Sequence, residues 1–332
     1  MPLLLFLFLV VSLGGYIRWA QQRLIMDTPN HRSSHVLPTV RGGGIVLPIA
    51  WGLFVLFNGA EQALFSIGLL IVAGISFWDD IRPLGSTVRF LAQILAFSLM
   101  FWELGLFISL PWYALMLVLV FAIGLINLVN FMDGINGITG GYGLVFFAFS
   151  ALFSAQPWSW GLENPTLYLV LALLAFGFYN FRTKARCFAG DIGSTTLGFI
   201  VIYYLLDLLQ LPEAHGQFRE VRWEYIFMVT VYGIDGILTI FQRLLQGENI
   251  LQAHRKHLYQ LLCNEYRWPH LLVAALYALL QAGINCLIWA NPGNALPPLL
   301  LTLALGALYI PLKYYLIQRQ SRPTLGASAA SS

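Results

Sequence analysis

The stretch Leu110–Gly137, LPWYALMLVLVFAIGLINLVNFMDGING, decides the fold. It runs without a charge until Asp133 and shows no period-2 alternation. A membrane-crossing helix needs roughly 20 such residues, and backbone groups surrounded by lipid must be satisfied within the segment itself. The run therefore reads as a transmembrane helix rather than a strand. Its end carries chemistry. Asn127, Asn130 and Asp133 follow at steps of three, so on a helix two amides and a carboxylate share one face. Gly134 and Gly137 then allow a turn or close approach by a ligand.

The rest of the chain extends this reading. Of 332 residues, 58% are hydrophobic and only 10% charged, with a mean hydropathy of +0.73. Soluble domains carry about 25% charged residues, so this chain could not cover a water-facing surface. Long apolar runs fall at 1–17, 45–59, 63–78, 88–107, 110–128, 138–156, 165–180, 193–211, 223–241, 269–290 and 297–317. The expected fold is all-α: a polytopic transmembrane helical bundle of about 11 spans. It forms a single integral membrane domain over 1–320, with 321–332 as a disordered tail. Cys187, Cys263 and Cys286 are scattered and odd in number, so no disulfide framework is implied.

Charge placement sets the expected topology. No basic residue precedes the first apolar run, and Arg18 and Arg23 follow it. This is the polarity of an anchor with its N-terminus outside, not of a cleaved signal. Alternating loops then place 16 of the 18 Lys and Arg residues inside, leaving only Arg219 and Arg222 outside. Lys and Arg accumulate in short cytoplasmic loops, so a cytoplasmic C-terminus follows. The net charge of +3 gives no indication of nucleic acid.

The acids fall on the same side. Asp79 and Asp80 close the third run, Asp133 closes the fifth and Asp191 precedes the eighth. Carboxylates at a membrane edge are costly and by default functional; a single one would read equally well as a helix-end charge or cap. Gly190-Asp191-Ile192-Gly193-Ser194 follows a basic loop and opens a helix, so its N–H groups suit phosphate and Asp191 suits Mg²⁺. Hard cations, oxygen ligands and phosphates are the parts of phosphoryl transfer. The loop from Asp27 through Thr39, Arg41 and Gly42-Gly43-Gly44 could wrap phosphates; such loops are also ordinary connectors. The last large loop carries His254-Arg255-Lys256-His257. A histidine pair at i, i+3 has metal spacing but lacks a third ligand nearby, which leaves a basic rim or a positive-inside anchor. Asp235 either pairs with a rim base or is functional.

With these segments in order, the chain resembles the polyprenyl-phosphate N-acetylhexosamine-1-phosphate transferases, glycosyltransferase family 4, over roughly residues 27–260. The resemblance implies a cytoplasm-facing active-site cleft in a bacterial inner membrane, with UDP-N-acetylhexosamine as donor, undecaprenyl phosphate as acceptor and Mg²⁺ as cofactor. Carried onto matching positions, it makes Asp79 the residue assisting the lipid phosphate, with Asp80 positioning. Asp191 and Asn130 become metal ligands, with Asn127 and Asp133 supporting the donor site. Phe188 stacks on uracil opposite Gly134, with Thr39 as a nucleotide contact. Read from the residues themselves, Arg41, His254, Arg255 and His257 would form a basic rim for substrate. Two positions depart from the family pattern. Asn136 stands where many members have a second Asp beside uracil, and an amide can still accept from uracil N3–H. Pro83 replaces a lysine or acid, which leaves Arg82 or Arg89 to neutralise the acceptor. The His254–Gln260 segment is similar to the subgroup that starts O-antigen and related surface polysaccharides of lipopolysaccharide. The donor sugar, UDP-GlcNAc or a deoxy analogue, and a homodimer stay open. The rival class is a secondary transporter of an anionic solute, which would normally place polar groups near mid-span.

Overall fold

The computed structural model describes residues 1–29, 37–154, 161–211, 221–249 and 255–321. His254, most of the first polar loop, Arg219, Arg322 and the tail from 322 lie outside the described residues.

Among the described residues every expected run is a helix. They are α1 (Pro2–Gln22), α2 (Val46–Asn58, led in by a 3-10 turn at Gly43–Ile45), α3 (Ala63–Ile81), α4 (Ser86–Glu103), α5 (Leu106–Ser109) and α6 (Trp112–Met132). They continue as α7 (Ile138–Phe153), α8 (Pro165–Asn180), α9 (Gly190–Leu209), α10 (Thr230–Leu245), α11 (Leu258–Asn264), α12 (His270–Ala290) and α13 (Leu296–Ser321). Among the described residues, seven helical segments are long and apolar enough to cross a membrane: α1, α3, α6, α9, Trp223–Leu245, α12 and α13. The segments around α2, α7 and α8 are apolar but shorter.

Two runs differ from their expected outlines. The run at 88–107 holds two helices, because Gly105 at φ +67° ends α4 and starts α5. The run at 223–241 opens as a 3-10 segment, Trp223–Val229, before α10. Gln281 of α12 serves that junction, accepting from Val231 N–H at 3.0 Å and donating to Phe227 C=O at 2.9 Å. Backbone groups at a helix break inside lipid need such side-chain partners.

α9 is the most buried of the seven long segments, with α3, α6 and α7 packed around it. Small residues permit the close approaches that bring membrane helices together. A Cβ on Gly198 would lie 3.1 Å from Ile126 Cα of α6, and one on Gly68 of α3 would lie 2.9 Å from the Ala96 carbonyl of α4. Leu70, Leu91, Leu117 and Leu303 are exposed on the flanks of this bundle. Exposed aromatic residues occur toward both ends of the bundle, as expected at membrane interfaces: Trp19, Trp78 and Trp268 lie toward one end, and Trp102, Trp112, Tyr113, Trp223 and Trp289 toward the other. The first of these ends holds the acids.

That end also carries a short antiparallel ribbon, β1 (Met26–Asp27) against β2 (Thr39–Val40), the two strands among the described residues. The chain before α9 runs alongside β2. Phe188 N–H donates to Val40 C=O at 2.8 Å, Gly43 N–H to Phe188 C=O at 2.8 Å and Gly44 N–H to Ala189 C=O at 3.0 Å. The first polar loop is thereby stitched to the α9 entrance.

Candidate active site

Four chain segments meet where α3 ends and α9 begins. The Asp80 carboxylate accepts from the N–H groups of Asp191 at 2.9 Å and Ile192 at 3.0 Å. A carboxylate placed there satisfies orphan N–H groups and complements the helix dipole. Two of the N–H groups at the Gly190 turn, those of Asp191 and Ile192, are therefore engaged by an internal anion. Gly190 is required by this joint: its φ is +72°, and a Cβ would lie 2.6 Å from both the Asp80 carboxylate and Gly42 N.

Two arginines bridge the carboxylates. Arg41 meets Asp80 at 2.8 Å and Asp191 at 3.3 Å, while Arg89 of α4 meets Asp79 at 3.0 Å and Asp191 at 3.6 Å. Asp79 also accepts from Leu84 N–H at 2.5 Å. Asp79 and Asp80 are buried, whereas Arg41 and Arg89 keep over a third of their side chains exposed. Three carboxylates thus share two guanidinium groups, with Asp191 touched by both.

A cavity of about 190 Å³ opens beside this cluster, lined by Arg41, Asn130, Asp133, Gly134, Asn136, Phe188 and Asp191, with Asp27, Ile135, Asn180, Gly190, Gln260 and His270. Asn130 accepts from the Ser194 hydroxyl at 2.7 Å. Asp133 ends α6 and accepts from Thr139 Oγ1 at 2.5 Å. Burial pushes its carboxyl up to about 6, with the Thr139 bond opposing. Asn136 commits its amide nitrogen to the carbonyls of Arg182 and Thr183, at 2.8 and 3.3 Å. Gly134 has no room for a Cβ because the Tyr259 ring lies against it.

The structure thus brings Arg41, Asn130, Asp133, Gly134, Asn136, Phe188 and Asp191 to one cavity, with Asp79 and Asp80 behind its wall. Other expected residues do not line it. Asn127 sits one turn back along α6, bonded to Gln93 at 3.2 Å. Thr39 is buried in the ribbon with its hydroxyl on the Leu37 carbonyl. Arg255 pairs with Glu265 at 3.6 Å, and His257 is buried with Nδ1 3.3 Å from Asp235. Sequence reasoning missed Asn180 and His270, and named Asp27 and Gln260 only as the bounds of their loops. Asn180 and His270 bound apolar runs, the same signal that marked the acids, and could have been found by it.

Fold and site together define a helical membrane protein with an arginine-neutralised acidic cluster beside a polar cavity at one end of its bundle. Residues 62–209 match the model of glycosyl transferase family 4. The match is shorter than half of the chain and includes Asp79, Asp80, Asn127, Asn130, Asp133, Asn136, Phe188 and Asp191. It supports a membrane-bound transferase. No curated protein matches the chain.

Proposed function

We propose that the chain transfers an N-acetylhexosamine-1-phosphate from a UDP-sugar to undecaprenyl phosphate, giving a lipid diphosphate-sugar and UMP. The observation that carries this reading is the cavity that joins Asp191, Asn130, Asp133 and Arg41 beside the Asp79–Arg89 pair. The cavity would face the cytoplasm of a bacterial inner membrane, in an eleven-span topology, and serve the first membrane step of a surface polysaccharide such as O-antigen.

Mg²⁺ suits the donor set. Asp191 and Asn130 both line the cavity, with the Asp191 carboxylate paired to Arg41 and Arg89 and the Asn130 oxygen accepting from Ser194. Among the described residues, no group of three or more His, Cys, Asp or Glu could hold an ion. Mg²⁺ usually takes one or two carboxylates and completes its shell with water and substrate phosphate. When bound, it would neutralise charge on the donor diphosphate.

In the proposed reaction, an oxygen of the lipid phosphate attacks the donor's β-phosphorus. The bond from that phosphorus to the oxygen bridging the α-phosphate breaks, and UMP leaves with the electron pair. Arg41, fixed by Asp80, would offset charge on the donor phosphates. Phe188 would stack on uracil, and the Asn136 oxygen would accept from N3–H. Asp79, engaged by Arg89 and Leu84 N–H, would assist the lipid phosphate by orienting Arg89 toward it. Such fixed charges act where anionic reactants meet and need no reorganisation during the reaction.

The test is a purified-protein assay with undecaprenyl phosphate, Mg²⁺ and a panel of UDP-N-acetylhexosamines, UDP-GlcNAc and deoxy analogues included. UMP release that requires both lipid and metal supports the reading and ranks the sugars. Folded protein that releases no UMP with any donor moves the assignment toward transport of an anionic solute.

A further inference from the structure

A second polar cluster lies away from the acidic joint. Asp235 of α10 is 1% exposed, yet its carboxylate collects donors from three other helices and from the residue before one of them. Tyr277 of α12 donates at 2.6 Å, Tyr309 of α13 at 2.7 Å and Leu258 N–H, the first residue of α11, at 3.0 Å; His257 Nδ1 lies at 3.3 Å. Thr239, one turn along α10, lies 3.3 Å from the same carboxylate and accepts from buried Lys313 at 2.7 Å. A buried carboxylate this fully bonded holds its partners in a single arrangement, and losing one partner is costly.

The partner it holds is a wall of the cavity. His257 and Gln260 cap α11 reciprocally, and Gln260 lines the cavity. Next to it, Tyr259 donates to Phe131 C=O at 3.0 Å and lies against Gly134. The last helix grips the other end of this short element, where Tyr266 donates to Leu316 C=O at 2.7 Å. We propose that Asp235 is a positioning residue, through which α13 sets α11 against the donor cavity, so that the last helix tunes donor binding without touching the donor. This rests on the reading of the cavity as a UDP-sugar site.

The test uses the full chain in detergent, comparing wild type with Tyr309→Phe and Tyr277→Phe, which each delete one hydroxyl, and with Asp235→Asn. Two readouts are taken: KM and kcat for UDP-sugar-dependent UMP release, and hydrogen exchange of amides 258–264 without substrate. Tyr309→Phe is expected to speed that exchange at least tenfold and to raise the donor KM about five-fold, with a smaller change in kcat. Asp235→Asn should do the same more strongly; should it fail to fold, the two tyrosine variants decide. Unchanged exchange, or faster exchange with an unchanged KM, overturns the proposal. A wild type inactive toward every donor overturns the functional reading instead. The coupling between α13 and α11 is then decided by the exchange arm alone, supported by a tenfold change and overturned by none.

Discussion

Asp191 is the side chain on which the site converges, ion-paired to both arginines and lining the cavity. Asp191→Asn keeps its size and removes its charge. Turnover is expected to fall by about a hundredfold or more, the scale of losing one preorganised electrostatic group, as read by UMP release at saturating lipid. Asp133 gives a pH signature. Its folded pKa, near 6, lies above the ordinary carboxylate value of 3.8. The folded state therefore binds more protons than the unfolded one between those values. Stability from this group is fully present below about pH 4 and declines as pH rises through 6. Asp133→Asn is expected to flatten that decline, by on the order of 1–2 kcal/mol, in thermal melts of the metal-free protein from pH 4 to 7. Asp133 and Asn130 were legible in the sequence because a three-residue step on a helix puts them on one face. The engagement of the α9 N–H groups by Asp80 was not, since a bond across more than a hundred residues leaves no local periodicity.

The joint between α3 and α9 is the element that the site depends on. Asp80 caps α9, Arg41 pairs with Asp80, and Gly190 and Gly42 make room. Gly190→Ala would add both a disfavoured backbone conformation and a clash with Asp80 and Gly42. A loss of about 3 kcal/mol is expected, seen as a lower unfolding temperature in detergent together with lost turnover. The helices themselves were readable from apolar runs. The ribbon and its stitching to residues 187–189 were not, because two-residue strands are too short to show alternation. The break at Gly105 had a signal in glycine, but an apolar residue on either side masked it. The 3-10 opening of the Trp223–Leu245 segment had none, since the Gln281 that supports it lies on another helix.

At the scale of the whole molecule, the acidic cluster and exposed Trp102, Trp112 and Trp289 lie toward opposite ends of the bundle. Eleven crossings would put these ends on opposite sides of the membrane; among the described residues, seven helical segments meet the length and hydropathy expected of a span. Cysteines introduced at exposed Lys184, on the acidic end, and exposed Glu61, at the start of α3, separate the cases once exposed Cys286 is replaced. An impermeant thiol reagent is expected to reach Glu61→Cys from outside intact cells and Lys184→Cys only in inverted vesicles. Labelling of both from one side would contradict the eleven-span arrangement. Charge bias is what suggested this topology in the sequence, because Lys and Arg cluster by side whatever the length of the helices.

The central claim is that a phosphorylated sugar, and not the sugar alone, moves to the lipid. It is tested most directly with UDP-N-acetylhexosamine labelled separately at the α- and β-phosphates. With a donor that the purified protein accepts, the account predicts that the β-label moves into the lipid fraction and the α-label stays in water as UMP. Transfer of the sugar with both labels left in the aqueous phase as UDP would contradict it.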